Sequence, residues 1–415
     1  MSVLKAWKNA RLIDPATGSD ERGALLTSGD RIVGAVTNGE IPVGAETTDC
    51  RGKILMPGLV DMRSHQVDRA GALAGGVTTL ILQPNQTNII DTDAPVERIR
   101  TRSDKAGGVV VHPMGAATKG MQGKEIAELG QMLESGAVAF TDCERPVSNA
   151  QVMRRLMTYA KNFDALIVQF AQDLDLAGNG YAHEGEVSDR LGLAGIPVAA
   201  EVIQIERDAR LAELTGARLH IPLVSSRDGV LAIKAAKDRG IKITCGTAPH
   251  YLHLNENALE GYRTFAKVSP PLRSEEDRVA LIEGVADGTI DIICSDHKGC
   301  SEDTKRLPMA QAEAGIASLE TMLSLVLSLV HSKKIDMMAA MQAMTSTPAS
   351  ILGLDCGSLA KGARADLIIL DPGTPWAIHE SVLQGKYKNT PFETIPVQGR
   401  VYETIVGGKS LYKIS

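Results

Sequence analysis

The sequence predicts an α/β fold, a (β/α)8 TIM-type barrel with a small β-sandwich module formed from the N- and C-terminal segments, and three observations carry that expectation. Residues 3–55 run in short alternating stretches separated by Gly, Asp and Asn, the texture of hairpins. After Pro57, eight short apolar runs alternate with helical stretches. Beyond Gly353 the β texture returns. The 415 residues suffice for a barrel, about 250 residues in its usual form, with a smaller module built around it.

In chain order, residues 24–27 and 32–35 read as the arms of a hairpin. The eight runs are 59–62, 77–82, 108–113, 137–141, 166–170, 218–224, 241–245 and 290–294. Of the helices between them, 203–214 places Ile205, Ala209 and Ala212 on one face and stops at Gly216. Near the C-terminus, 365–371 and 401–406 are strand-like, and Gly407-Gly408 marks a hairpin turn before Leu411. The expected division is 1–55 for the first part of the β module, 56–345 for the barrel and 346–415 for the segment completing the module. With no internal repeat, low-complexity tract or long linker, the two modules are expected to form one rigid body.

Composition narrows the function classes. Hydrophobic residues make up 44% and charged residues 23%, as in soluble globular proteins, while aromatics at 3% require an aliphatic core. A formal charge of -6 with mixed signs offers no basic stripe and argues against nucleic acid. Residues 1–9 carry lysines and Trp7 but no apolar stretch of signal-peptide length, and the longest apolar run, 322–330, is too short to span a bilayer. Cys50, Cys143, Cys245, Cys294, Cys300 and Cys356 are scattered without a C-x-x-C pair, so reduced thiols and a cytoplasmic location are expected.

Chemistry in such a barrel belongs at the C-terminal strand ends. The segment M-P-G-L-V-D-M-R-S-H, residues 56–65, has the layout of a strand ending in a metal-binding H-x-H pair, but its first ligand position holds Arg63. A guanidinium stays protonated and has no lone pair for a cation, so within this pair only His65 retains a ligating nitrogen.

Several stretches resemble the landmarks of dihydroorotases, members of the amidohydrolase superfamily. They are the first run with Met56-Pro57-Gly58, A-V-A-F-T-D-C-E-R-P (137–146), K-V-S-P-P-L-R (267–273), Ser295-Asp296-His297, G-I-A-S-L-E-T (315–321), T-P-A-S-I-L-G-L (347–354) and K-N-T-P-F (388–392). The similarity runs essentially end to end. It implies one or two zinc ions activating water against a cyclic amide, which needs roughly three protein ligands. Carried over position by position, the H-x-H pair falls on Arg63 and His65, the strand-four bridging acid on Asp142, and the strand-five and strand-six histidines on Phe170 and Leu223. The strand-eight aspartate, metal ligand and general base, falls on Asp296. The retained ligand positions are thus His65, Asp142 and Asp296, and the lost ones Arg63, Phe170 and Leu223. Gln169 and His220 have the wrong strand parity to replace the lost ligands.

The family's substrate groups are depleted too. Its carboxylate-clamping arginine falls on Val67, the loop 65–75 is short, and the second histidine of its D-H-A-P-H run is Cys300. Asn85 keeps the substrate asparagine. Asp296 without a cation is a buried, unpaired carboxylate costing several kcal/mol, so Arg63 is expected to pair with Asp296, Asp142 or both.

Simpler roles stand beside these. Arg63 is alternatively a surface residue, His65 a hydrogen-bonded core histidine, and Asp142 a cap for the helix after Pro146, where Asn149 offers another start. Cys143 and Cys300 are reactive thiols near the mouth or inert buried ones. Residues 321–330 with Met337, Met338, Met341 and Met344 are an adaptable contact surface or core, and Lys333-Lys334 is a solvated turn.

Two functions remain. The first is a dihydroorotase homologue of pyrimidine biosynthesis, catalytically inactive, with no cofactor, most like the non-catalytic dihydroorotase-like subunits that hold aspartate carbamoyltransferase in a homo- or hetero-oligomer. The second is an active cyclic-amide hydrolase, a dihydroorotase or a hydantoinase or allantoinase relative, using one zinc on His65, Asp142 and Asp296.

Overall fold

In the computed structural model of the protein, residues 3–37 and 39–414 are described; Met1 and Ser2, part of the 1–9 stretch, lie outside them. Strands β1 (Leu4–Asp14), β2 (Ser19–Ser28), β3 (Arg31–Val36), β4 (Glu46–Asp49) and β5 (Ile54–Pro57) come first. The barrel strands follow as β6 (Leu59–Ser64), β7 (Val77–Leu82), β8 (Val110–Pro113) and β9 (Leu166–Val168). After a small pair, β10 (Ala182–His183) and β11 (Gly195–Ile196), come β12 (Arg218–Ile221), β13 (Ile243–Thr247) and β14 (Ile292–Ile293). The chain ends with β15 (Leu367–Ala377), β16 (Pro396–Val406) and β17 (Lys409–Lys413).

The barrel strands pair in parallel as β6-β7-β8 and β9-β12-β13-β14. Their apolar runs are buried on both faces, as parallel sheets with helical crossovers require. Single bridges join the two sets: Gly115 to Phe140 and Phe140 to Ile167 on one side, Ser64 to His297 on the other. The expected strand at 137–141 is reduced to these bridges, although Thr141 N–H still donates to Gly115 carbonyl at 2.9 Å. Gly115 allows that close approach, because a Cβ there would sit 2.9 Å from the Phe140 ring.

Both chain ends build one eight-stranded sheet in the order β17-β16-β15-β5-β1-β2-β3, with β4 paired to β1. By hydrogen bonding this is a single sheet, where the sequence predicts a two-layer sandwich. Its period-two alternation explains how it is buried. Ile54, Met56, Ile368 and Leu370 join the barrel core, whereas the intervening Leu55, Leu367 and Ile369 pack in a separate cluster with Trp7, Leu25 and Ile405.

The helix predicted at 203–214 spans Ala199–Thr215 and ends at Gly216, whose φ of +69° suits glycine. Asn149 caps the helix Ala150–Lys161, accepting from Gln151 N–H at 2.9 Å and Val152 N–H at 3.1 Å. Met341 and Met344 are buried and Met337 and Met338 pack against the core, so the methionine run is packing material. All six cysteines are free thiols. No helix among the described residues is long and apolar enough to cross a membrane.

Candidate functional site

Strand β6 ends in Arg63 and Ser64, followed by His65, and β14 leads into Ser295 and Asp296; the bridge between Ser64 and His297 holds these two ends side by side. Arg63 is 1% exposed. Its Nε donates to Asp296 Oδ1 at 2.7 Å and its Nη1 to Gln83 Oε1 at 3.4 Å, while Nη2 is buried without a protein partner. Burial alone opposes the charge, but Asp296 beside it keeps the guanidinium firmly protonated. In return, burial pushes the Asp296 carboxyl up while His65 and the Arg63 charge outweigh it, holding it well below the usual carboxylate range.

Two imidazoles flank this pair. His65 Nε2 lies 3.8 Å from Asp296 Oδ1 and His250 Nε2 lies 3.9 Å from Asp296 Oδ2, both beyond hydrogen-bonding distance. Asn85, which the resemblance marks as a substrate-binding position, turns its amide onto His65, with Nδ2 2.9 Å from Nδ1. The Asn85 side chain is thereby engaged within the protein.

Asp142 corrects the sequence expectation. Its carboxylate accepts from Thr118 N–H at 2.9 Å and from the Thr118 hydroxyl, and it makes no bond to Arg63. The chain turns immediately afterwards, Cys143 having φ +58°, so the strand-four groups that feel the Arg63 charge are Cys143 and Glu144. Nor does Asp142 cap the following helix, a task that Asn149 performs. The mouth above is spanned by Lys298, whose Nζ lies 2.9 and 2.7 Å from the two Glu144 carboxylate oxygens.

The lost positions are filled with hydrocarbon. Phe170 is 1% and Leu223 0% exposed, and neither has a coordinating atom. Gln169 faces Val147, whose N–H donates to Oε1 at 3.3 Å, and His220 Nδ1 pairs with Thr244 Oγ1 at 2.8 Å. Burial pushes the His220 imidazole down to about 3. Val67, at the lost clamp position, lies on the surface. Cys300 donates its N–H to Asn389 Oδ1 at 3.0 Å, and burial pushes its thiol up to about 11, an inert state. Cys143 is likewise buried and pushed up to about 12.

Sequence reasoning missed His250 and Asp61. His250 follows β13 in T-A-P-H, residues 247–250, at the same kind of strand end as the others, and that position was the available signal. Burial pushes it down to about 4, and neither ring nitrogen has a protein partner. Asp61 accepts from Ser295 N–H at 2.8 Å and Ser295 Oγ at 2.6 Å, tying the first strand to the eighth; burial pushes its carboxyl up to about 6.

This donor set does not fit a catalytic zinc. The carboxylate that would bind the ion is hydrogen-bonded to a permanent cation, and the strand-five and strand-six donors are absent. Among the described residues no three or more His, Cys, Asp or Glu side chains are grouped to hold a metal ion.

Comparison with known proteins agrees with the overall architecture. The Dihydro-orotase-like family matches residues 52–229 and the Amidohydrolase family residues 328–412. A dihydroorotase of Syntrophotalea carbinolica is 41% identical over 98% of this chain and 98% of its own. One from Geobacter metallireducens is 40% identical over 98% and 99%. Among solved structures, the L-hydantoinase (dihydropyrimidinase) of Arthrobacter aurescens superposes with a TM-score of 0.86 at 25% identity, covering 100% of this chain and 96% of that one. A D-hydantoinase superposes at 0.81 with 20% identity over 99% and 95%, a likeness of fold alone. The fold is a TIM-barrel α/β fold.

Proposed function

The chain belongs to the dihydroorotase family of amidohydrolases, and from that premise we propose that it is a homologue from pyrimidine biosynthesis whose metal centre has been replaced by an arginine–carboxylate pair, leaving it catalytically inactive. The observation that carries this reading is the 2.7 Å contact between Arg63 Nε and Asp296 Oδ1 in a fully buried setting. The cation that balances Asp296 is covalently part of the chain, so the fold stands without zinc. What remains is a TIM-barrel fold with an extensive buried aliphatic core, suited to a structural role. We assign it the part of a scaffold for aspartate carbamoyltransferase in a homo- or hetero-oligomer, in a reducing, cytoplasmic setting supported by its free thiols.

A second reading has a specific observation in its favour. Full-length relatives at 40–41% identity carry the name dihydroorotase, and taken alone they point to an active cyclic-amide hydrolase. In that case one zinc would rest on His65 and Asp296, with Asp142 leaving Thr118 or with His250 in its place. The Arg63 charge beside Asp296 weighs against it.

Protein purified without chelator, assayed for ring opening of dihydroorotate and sized together with aspartate carbamoyltransferase from the same cell, separates the two. No turnover with co-migration supports the scaffold. Turnover at an enzyme's ordinary rate supports the hydrolase, and independent migration removes the assembly claim.

A further inference from the structure

Two grooves share one wall, the first beginning beside the barrel mouth at Gln66 and Val67. The first, about 560 Å³, is lined by Arg69, Arg98 and Arg102 together with Gln66, Asn88 and Ile99. The second, about 810 Å³, runs on from Arg69 past the terminal strands, lined by Lys5, Arg364, Lys409, Val3 and Leu411. Asp30 is the one carboxylate that lines either groove among the described residues. Arg364 is engaged by Asp366 at 2.9 Å, and Arg69 donates to the Gly107 carbonyl at 2.9 Å. Lys5, Arg98, Arg102 and Lys409 have no ion-pair partner among the described residues. Arg98 and Arg102 stand one turn apart on the helix Asp93–Ala106, so both guanidinium groups face one groove. These cations come from positions 5 to 409 and meet only in the fold, on a chain whose net charge is -6. The sequence expectation of no basic stripe holds for the linear chain and fails for the folded surface.

We infer that this stripe docks an acidic segment of a partner polypeptide. Charge complementarity selects the occupant, since several unpaired cations along one groove attract a run of carboxylates, and guanidinium forks pair with them in bidentate fashion. The exposed side chains of Val3 (59%) and Leu411 (41%) add an aliphatic floor for apolar residues set among those carboxylates. Single-stranded nucleic acid fits less well, because neither groove is lined by Phe, Tyr or Trp on which bases stack. The inference deepens the assembly reading by naming its surface, and it rests on that reading for the choice of partner.

The test uses the full chain and the double variant R98E/R102E, whose two side chains are exposed and unpaired, so that an unchanged melting temperature verifies the fold. If the wild-type chain co-migrates with aspartate carbamoyltransferase, the variant is expected to lose about tenfold or more in affinity. Wild-type binding is expected to weaken as ionic strength rises to about 0.5 M. Co-migration of the variant equal to wild type at both salt concentrations overturns the docking site and leaves the assembly reading standing. If the wild type does not co-migrate, the assembly reading falls, and titration with fluorescent oligo-glutamate decides the groove alone. Salt-sensitive binding reduced in the variant supports it; no binding, or binding equal in the variant, overturns it. Tighter binding of a single-stranded oligonucleotide of equal charge also overturns it.

Discussion

The two halves of the barrel mouth differ in what stands at the positions where the resemblance to dihydroorotases expects metal ligands. On the side of strands one and eight, charge is kept and re-paired: Arg63 answers Asp296, Asp61 holds Ser295, and His65 and Asn85 close the network. On the side of strands five and six, Phe170 and Leu223 replace the donors with hydrocarbon and are sealed from solvent. The difference follows from what each position leaves behind. A neutral imidazole can be exchanged for an apolar side chain of suitable volume without orphaning a charge, whereas a buried carboxylate demands a cation or must go.

That contrast can be broken by mutation. The largest effect is expected for Arg63→Met, which fills much of the space but strands Asp296; breaking a buried pair from one side costs about 3–5 kcal/mol, measured by urea unfolding. Replacing both, as R63M/D296L, should recover most of that loss, and a double variant as unstable as R63M alone would mean that the two residues are not coupled. On the apolar side, Leu223→Ala should cost about 2–5 kcal/mol through the cavity it leaves. Because no titrating group is involved there, this loss is expected to be the same at pH 7 and pH 5.

Acid sensitivity sharpens the comparison further. His112 and His220 are pushed down to about 4 and about 3 by burial, and His250 to about 4. Each is neutral in the fold and takes up a proton near pH 6.5 when unfolded, so the unfolded state binds more protons and stability falls as pH drops below about 6.5. Asp61 and Asp208, both pushed up to about 6 by burial, act in the opposite direction between about pH 4 and 6, but the imidazoles, joined by His297 at about 4, are more numerous and outweigh them. Melting temperatures at pH 7 and pH 4.5 should therefore differ, with the lower value in acid; an unchanged or higher value at pH 4.5 would contradict the assigned neutral histidines. The smallest effect belongs to the helix start: Asn149→Ala should cost about 1 kcal/mol in urea unfolding, while Asp142→Ala should leave that helix intact.

Much of this was legible in the chain. Parallel strands announce themselves as apolar runs, and 77–82 is observed as β7 with those bounds. The fourth run, 137–141, is strand-like in composition and hydrogen-bonds to both neighbours from Val138 to Thr141, but its bridges fall on Phe140 alone, so it is not a full strand. In the site, the pairing of Arg63 with Asp296 was legible, because a buried carboxylate needs a cation and side-chain chemistry is written in the sequence. That Asp142 takes no part in it was not, since strand alternation fails at Cys143, where a positive φ reverses the chain and Thr118 captures Asp142. His250 escaped because a lone histidine after a proline carries no spacing signal. The basic grooves escaped because their residues converge only in three dimensions.

The buried Arg63 guanidinium, bonded to Asp296, stands where metal chemistry would need an open coordination sphere. Zinc content per chain, measured by mass spectrometry on protein prepared with added zinc and then freed of unbound metal, tests it most directly. The account expects zinc far below one ion per chain, and no rise in stability on adding it. One or two tightly held ions per chain, lost on chelation together with dihydroorotate turnover, would contradict it.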